Sequence, residues 1–154
     1  MIDPDHAVIS VLIGLVSTED RSRILETLAS LATEQGPVAC EVILVDRRRD
    51  SVSEEIARRY PNVQLIPCAL EASRAGIVAV TEDHCVPDPD WLGQILVGMR
   101  ENDVVAVGGC VANGVDDTSY DWATFLCEYS FFYPPVTEGS SEVLPGMNVA
   151  YRRS

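Results

Sequence analysis

The chain has 154 residues, enough for one domain with a real core and too few for two comfortable ones. Hydrophobic residues make up 47% and charged residues 23%, the balance of a soluble globular protein. A net charge of −13 and a sequence pI near 4.3 argue against nonspecific nucleic-acid binding and against docking on anionic lipid by a basic surface. A phosphorylated substrate stays open, because a bound divalent cation reverses the local field. The opening Met1-Ile2-Asp3-Pro4-Asp5-His6 has no basic n-region, so no signal peptide is expected. Apolar runs fall well short of the roughly 20 residues of a membrane span. Five scattered cysteines, odd in number and without a C-x-x-C, point to reduced thiols and a cytoplasmic location.

Ala7 to Leu15 is nearly all apolar and reads as a strand buried on both faces of a parallel sheet. Ser17 and Thr18 are N-cap candidates for a helix over 21–35, whose Ile24, Leu25, Leu28, Leu31 and Ala32 fall at helical spacing. Gly36-Pro37 ends it. Glu41 to Val45 is a second strand, ending at Asp46, where an acid could meet a ribose hydroxyl or a base edge or could equally be a solvated turn residue. Arg47-Arg48-Arg49 follows, and Ser51-x-x-Glu54 resembles a capping box before a helix to Tyr60. Val63 to Ile66 is a third short strand, and Cys68 to Gly76 is a compact segment carrying Glu71, Ser73 and Arg74.

The chain is organised around what comes next. The apolar run Ile77-Val78-Ala79-Val80 stops at Thr81-Glu82-Asp83-His84, three ionisable groups directly after a buried strand. Ligands bind at such strand ends in open α/β sheets. Hard oxygen donors there suit Mg²⁺ or Mn²⁺, commonly shared with a substrate's phosphates. Asp88-Pro89 then reads as an N-cap and first helical residue, with Trp91, Leu92, Ile95, Leu96 and Met99 on the inner face of a helix to about Glu101. A strand over 104–107 reaches Gly108-Gly109, where backbone could approach a ligand or another strand closely. Tyr120 to Tyr133 is an aromatic helical stripe, stopped by Pro134-Pro135. Residues 143–150 read as a strand-like segment with an odd glycine and asparagine inside it.

Four segments in order, T-E-D-H-C-V-P-x-P-x-W, A-V-G-G, D-W-A-x-F-L-x-E-Y and L-P-G-x-N-x-A-Y-R-R, resemble the family 2 glycosyltransferases. The resemblance runs from about Val8 to the C-terminus and implies a single Rossmann-like GT-A domain over 1–154, an α/β fold with a mostly parallel mixed sheet. Strands near 8–15, 41–46, 63–67 and 77–81 should be parallel, with an antiparallel member among those near 104–111 and 143–150. It implies inverting transfer from a UDP- or GDP-linked sugar, with Mn²⁺ or Mg²⁺ on the donor's diphosphate. Asp46, Arg74, Glu82 and Asp83 would bind the nucleotide sugar, and Asp83 and His84 the metal, with Asp83 the first direct ligand. His84 stands where the family often has a third acid or a polar residue.

Three departures accompany the match. Three arginines follow Asp46 in place of a small polar turn, and the segment between Ile66 and Ile77 is short, leaving Ser73-Arg74-Ala75-Gly76 as a remnant of an Arg-Asn-x-Gly-like element. The family's catalytic base is an acid beyond the strand that holds Asn148, so no acid here takes that role and the chain reads as the nucleotide-sugar-binding part, with the acceptor part missing. An alternative is a catalytically degenerate GT-A module acting through protein contacts, with homo-oligomers forming through the aromatic 120–135 segment. A third reading, a receiver-like or flavodoxin-like domain with an acid pocket at Asp46 and Glu82-Asp83, requires an all-parallel sheet.

Overall fold

A computed structural model describes residues 7–17, 23–33, 36–46, 51–67, 72–101 and 103–153, the Glu101 side chain excepted. Six strands and four helices follow one another as β1 (Ile9–Gly14), α1 (Arg23–Thr33), β2 (Cys40–Val45), α2 (Ser51–Arg59), β3 (Gln64–Ile66), β4 (Ile77–Glu82), α3 (Trp91–Glu101), β5 (Ala106–Gly108), α4 (Ser119–Tyr129) and β6 (Val149–Arg152). They form one sheet in the order β3-β2-β1-β4-β6-β5. β1, β2, β3 and β4 are parallel, and β6 runs antiparallel to both β4 and β5. The antiparallel member expected from the sequence is therefore β6, and the all-parallel receiver-like reading is overturned.

Register and burial explain the layers. Ile9, Val11 and Ile13 of β1 stand level with Cys40, Val42 and Leu44 of β2, and Val11 with Ala79 of β4. This face packs into one cluster with Ile24, Leu28 and Leu31 of α1, Ile56 of α2, and Leu92, Ile95 and Met99 of α3. Burying a side chain of this size stabilises by roughly 1.5–3 kcal/mol, and β1 contributes three wholly buried ones. The other face holds a smaller cluster of Leu12, Ile43 and Val78.

That second face also carries a buried carboxylate. Glu41 accepts from Ser10 Oγ, from Arg74 N at 2.7 Å and from Gln64 Nε2 at 3.3 Å, and Ala75 N donates to Ser10 Oγ at 3.1 Å. These bonds tie residues 74 and 75, just before β4, to β1 and β2. A buried acid is tolerated because its lone pairs are filled.

Several element boundaries differ from the sequence expectations. The described part of α1 is Arg23–Thr33, and the Ser17 hydroxyl donates to Asp83 Oδ1 at 2.9 Å; Thr18 and residues 19–22, where the helix was expected to start, lie outside the described residues. α2 starts at Ser51 itself, which is therefore inside the helix and not its cap. Pro89 sits in a turn closed by Trp91 N on Asp88 O at 3.2 Å, with Asp90 at φ 64, and α3 begins only at Trp91. Asp90 takes over the start of α3, its carbonyl accepting the first helical bond from Gln94 N at 3.0 Å, so Asp88 is not at the cap position. Residues 145–148 form a turn, Asn148 N on Pro145 O at 3.1 Å, and β6 follows it. The odd glycine and asparagine thus belong to that turn.

Candidate functional site

The site is built by three strand ends. Gly14 at the end of β1 pairs with Val45 of β2 and with Glu82 of β4. The next rung is also tied: Leu15 N donates to Val45 O at 3.2 Å and Asp83 N to Gly14 O at 3.1 Å. Asp46 and Asp83 therefore emerge on either side of β1, about 10 Å apart at the usual strand spacing. β2 lies to one side of β1 and β4 to the other, so this edge is the topological switch point of the sheet.

Asp83 is 1% exposed. Its Oδ1 accepts from Val16 N and Ser17 N at 3.3 Å and from Ser17 Oγ at 2.9 Å, and its Oδ2 from Ser17 N at 3.2 Å. Burial alone would raise its pKa. The His84 contact and the Ser17 and Val16 bonds outweigh that and hold the carboxyl below its ordinary 3.8. Asp83 thus pins the exit of β1 to the exit of β4. The following segment is held from α1, where Thr27 Oγ1 donates to Cys85 O at 2.9 Å and Ser30 Oγ to Pro87 O at 2.8 Å.

His84 is the outward member of the trio. Its Nδ1 lies 3.6 Å from Asp83 Oδ1 and its Nε2 lies 3.5 Å from Glu82 Oε2, with the imidazole 44% and the Glu82 side chain 31% exposed. Asp83 first, then Cys85, with Glu82 adding its charge, raise the imidazole pKa from 6.5 to about 10. Tyr129 of α4 stands in the same field. Burial, the neighbouring Glu128, and the charges of Glu82 and Cys85 push its hydroxyl up to about 12, which keeps it a neutral donor.

The residues expected at the site are brought together unequally. Glu82, Asp83 and His84 form one group, with Asp46 across β1. Asp46 is not a solvated turn residue: it is 2% exposed and accepts from Ser53 Oγ in the first turn of α2. Arg74 is not brought there. Its amide binds Glu41, which pairs with Ser10 near the start of β1, at the opposite end of the sheet. Glu71 and Arg47-Arg48-Arg49 lie outside the described residues. Sequence reading missed Ser17 and Ser53 as partners of the two acids. Each is a small hydroxyl residue near a strand or helix end, a signal that also fits ordinary capping.

A cleft of about 590 Å³ opens beside His84, between the segment from His84 to Trp91, the loop after β5, the inner side of α4, and Met147-Asn148. Gly108 and Gly109 are closely approached: a Cβ on Gly108 would lie 2.9 Å from Leu144 and one on Gly109 2.8 Å from Asn148 Nδ2. The close approach expected at this pair is to the turn before β6.

As to a cation, the fit rests on the donor chemistry. Glu82 and His84 place a carboxylate and an imidazole 3.5 Å apart on the open side, a pair that suits Mn²⁺, and phosphate oxygens commonly complete such a shell. Among the described residues no three His, Cys, Asp or Glu side chains converge on one point.

A mixed sheet with an acid-tipped central strand, an antiparallel sixth strand and a cleft beside the end of that central strand defines a nucleotide-sugar transferase type of α/β fold. The chain belongs to glycosyl transferase family 2, whose model matches residues 15–154. Among solved structures it is similar to mannosyltransferase PcManGT from Pyrobaculum calidifontis in complex with GDP-Man and Mn²⁺, at 18% identity and a TM-score of 0.62, covering 98% of this chain and 46% of that one. It is similar to S. aureus TarS 1–349 in complex with UDP-GlcNAc at 19% identity and a TM-score of 0.63, covering 94% and 45%. A third neighbour is 4-diphosphocytidyl-2C-methyl-D-erythritol synthase from Anaerococcus prevotii, at 16% identity and a TM-score of 0.54, covering 96% and 71%. The chain spans less than half the length of the first two of these proteins. No curated protein matches it. Among the described residues no helix is long and apolar enough to cross a membrane.

Proposed function

We propose that this chain binds a nucleotide-diphosphate sugar at the C-terminal edge of β1, β2 and β4 and serves inverting glycosyl transfer with a divalent cation, Mn²⁺ or Mg²⁺. The observation that carries the reading is the pairing of a buried, bonded Asp83 with the outward His84 and Glu82 at the topological switch point. GDP-Man with Mn²⁺ and UDP-GlcNAc in two neighbours support UDP- or GDP-linked donors. Glu82 and His84 are the donors we assign to the cation. Asp83, expected as the first direct ligand, instead supports the imidazole and the loop after β1. When bound, the cation neutralises charge gathering on the departing nucleoside diphosphate. His84 gives up its proton to act as a neutral ligand, and Asp46 faces the nucleoside from across β1. Nothing within the chain is assigned as the catalytic base. The free state of Cys40, Cys85, Cys110 and Cys127 supports a reducing, cytoplasmic setting.

Calorimetric titration of UDP and then GDP, with and without Mn²⁺, tests this on the wild type and on His84→Ala. Metal-dependent binding that is lost in the variant is expected. If neither nucleotide binds in a metal-dependent way, donor binding by this chain is refuted, while the fold stands.

A further inference from the structure

One side chain joins three walls of the cleft. Trp91 Nε1 donates to Asn148 Oδ1 at 2.8 Å, and Asn148 Nδ2 donates to Cys110 O at 2.8 Å. Asn148 belongs to the turn before β6, Trp91 opens α3, and Cys110 follows β5. The orientation of the amide is dictated by its partners, because an indole N–H can only donate and a carbonyl can only accept. A short side chain offering a donor and an acceptor at once is therefore required, and asparagine is that side chain. Backbone bonds hold the asparagine itself, with Gly109 N on Asn148 O at 3.3 Å and Asn148 N on Pro145 O at 3.1 Å. Gly109 leaves the room the amide needs, since a Cβ there would lie 2.8 Å from Nδ2.

The walls so joined have the chemistry of a sugar subsite. Trp91, Tyr120 and Phe125 are among the residues that line the cleft, and so are Asp88 and Asp121. Asn113, also in the wall, has a buried Nδ2 without a hydrogen-bond partner. Such a donor in a native fold calls for an acceptor. A pyranose offers what this mixture asks for, an apolar C–H face for a ring and a rim of hydroxyls for carboxylates and amides. The volume lies within the range of small-molecule sites.

We propose that Asn148 is a positioning residue: by tying Trp91 to the exit of β5 it fixes an aromatic wall against which a sugar ring is held in this cleft. That the sugar takes part in glycosyl transfer rests on the reading above; that the cleft holds a sugar through this clamp does not. Asn148→Leu keeps the shape and strands both partners. Trp91→Phe keeps a ring and removes the same indole bond from the other side, so it carries the test should the leucine variant fail to fold.

The probes are methyl α-mannopyranoside, methyl α-glucopyranoside and N-acetylglucosamine, titrated into ¹⁵N-labelled protein while the amide resonances of residues 109–115 are followed. Saturable shifts with at least one of the three are expected, with affinity weakened roughly tenfold in either variant, the cost of a stranded buried polar group. The double variant should be little worse than each single one, because both remove one interaction. Absence of saturable shifts with all three sugars overturns the proposal, as does unchanged affinity in Asn148→Leu or, where that variant does not fold, in Trp91→Phe. UDP and GDP titrations with Mn²⁺ on the same samples separate the two readings: their failure alone refutes donor binding and leaves the clamp standing.

Discussion

The four parallel strands with α1, α2 and α3 differ in kind from the region between α3 and β6. In the first, Ile9, Val11, Leu12 and Ile13 of β1 and Val42, Ile43 and Leu44 of β2 are all buried. In the second, among described residues from 103 to 148, the buried hydrophobic side chains are Phe125 and Met147. What holds it is mostly polar: the Asn148 amide, Arg152 Nη2 on Met99 O at 2.8 Å, and the capping box of Thr118 and Asp121 on α4. Its aromatic residues pack mainly on one another, Trp122 and Phe125 both edge-on to Tyr133, while Phe131 is 89% exposed. A hydrophobic core resists change everywhere at once. A set of directional bonds fixes a few positions and leaves the rest adjustable, which suits the wall of a binding cleft.

Substitutions should separate the two regions. The largest effect is expected from Ile13→Ala, which opens a cavity at the centre of the main cluster; a loss of about 3 kcal/mol is expected in urea unfolding. A loss under about 1 kcal/mol would mean that this core is not what holds the sheet. Asp83→Asn comes next and adds a pH signature. With its folded pKa held below 3.8, the Asp83 contribution is fully present above that value and is lost as pH falls through the lowered one. Melting temperature against pH should therefore fall more gently at the acid end in the variant; an unchanged acid limb would break the assignment of Asp83 as the pin between β1 and β4.

Thr118→Ala removes the capping box and should cost about 1 kcal/mol, read by hydrogen exchange as protection lost in α4 with β1 and β2 unaffected. Spread of that loss into β1 would show the two regions to be one cooperative unit. Phe131→Ser should leave stability within about 0.5 kcal/mol, since the ring is almost wholly exposed. Sedimentation should nonetheless show less self-association than in the wild type at high concentration, as homo-oligomers through the aromatic segment require. A wild type that is monomeric throughout would dispose of that idea and of the protein-contact module with it.

Much of this protein was legible in the chain itself. Mostly apolar runs at 9–14, 42–45 and 77–80 mark strands covered on both faces, and the helical spacing of Ile24, Leu28 and Leu31 marks α1, because burial selects apolar residues wherever a side chain faces the core. The acid-tipped strand and the four ordered segments also gave the family. Tertiary structure alone decided what each acid is bonded to. Ser17 meets Asp83 and Ser53 meets Asp46 through strand register and helix placement, which no local spacing encodes. Arg74 looked near the site in sequence, yet it precedes β4, and a strand carries its two ends to opposite edges of a sheet. Asn148 stood out only as an oddity in the chain. Its role needs partners 57 residues before it and 38 residues before it, a pairing that exists only once β6 has been laid between β4 and β5.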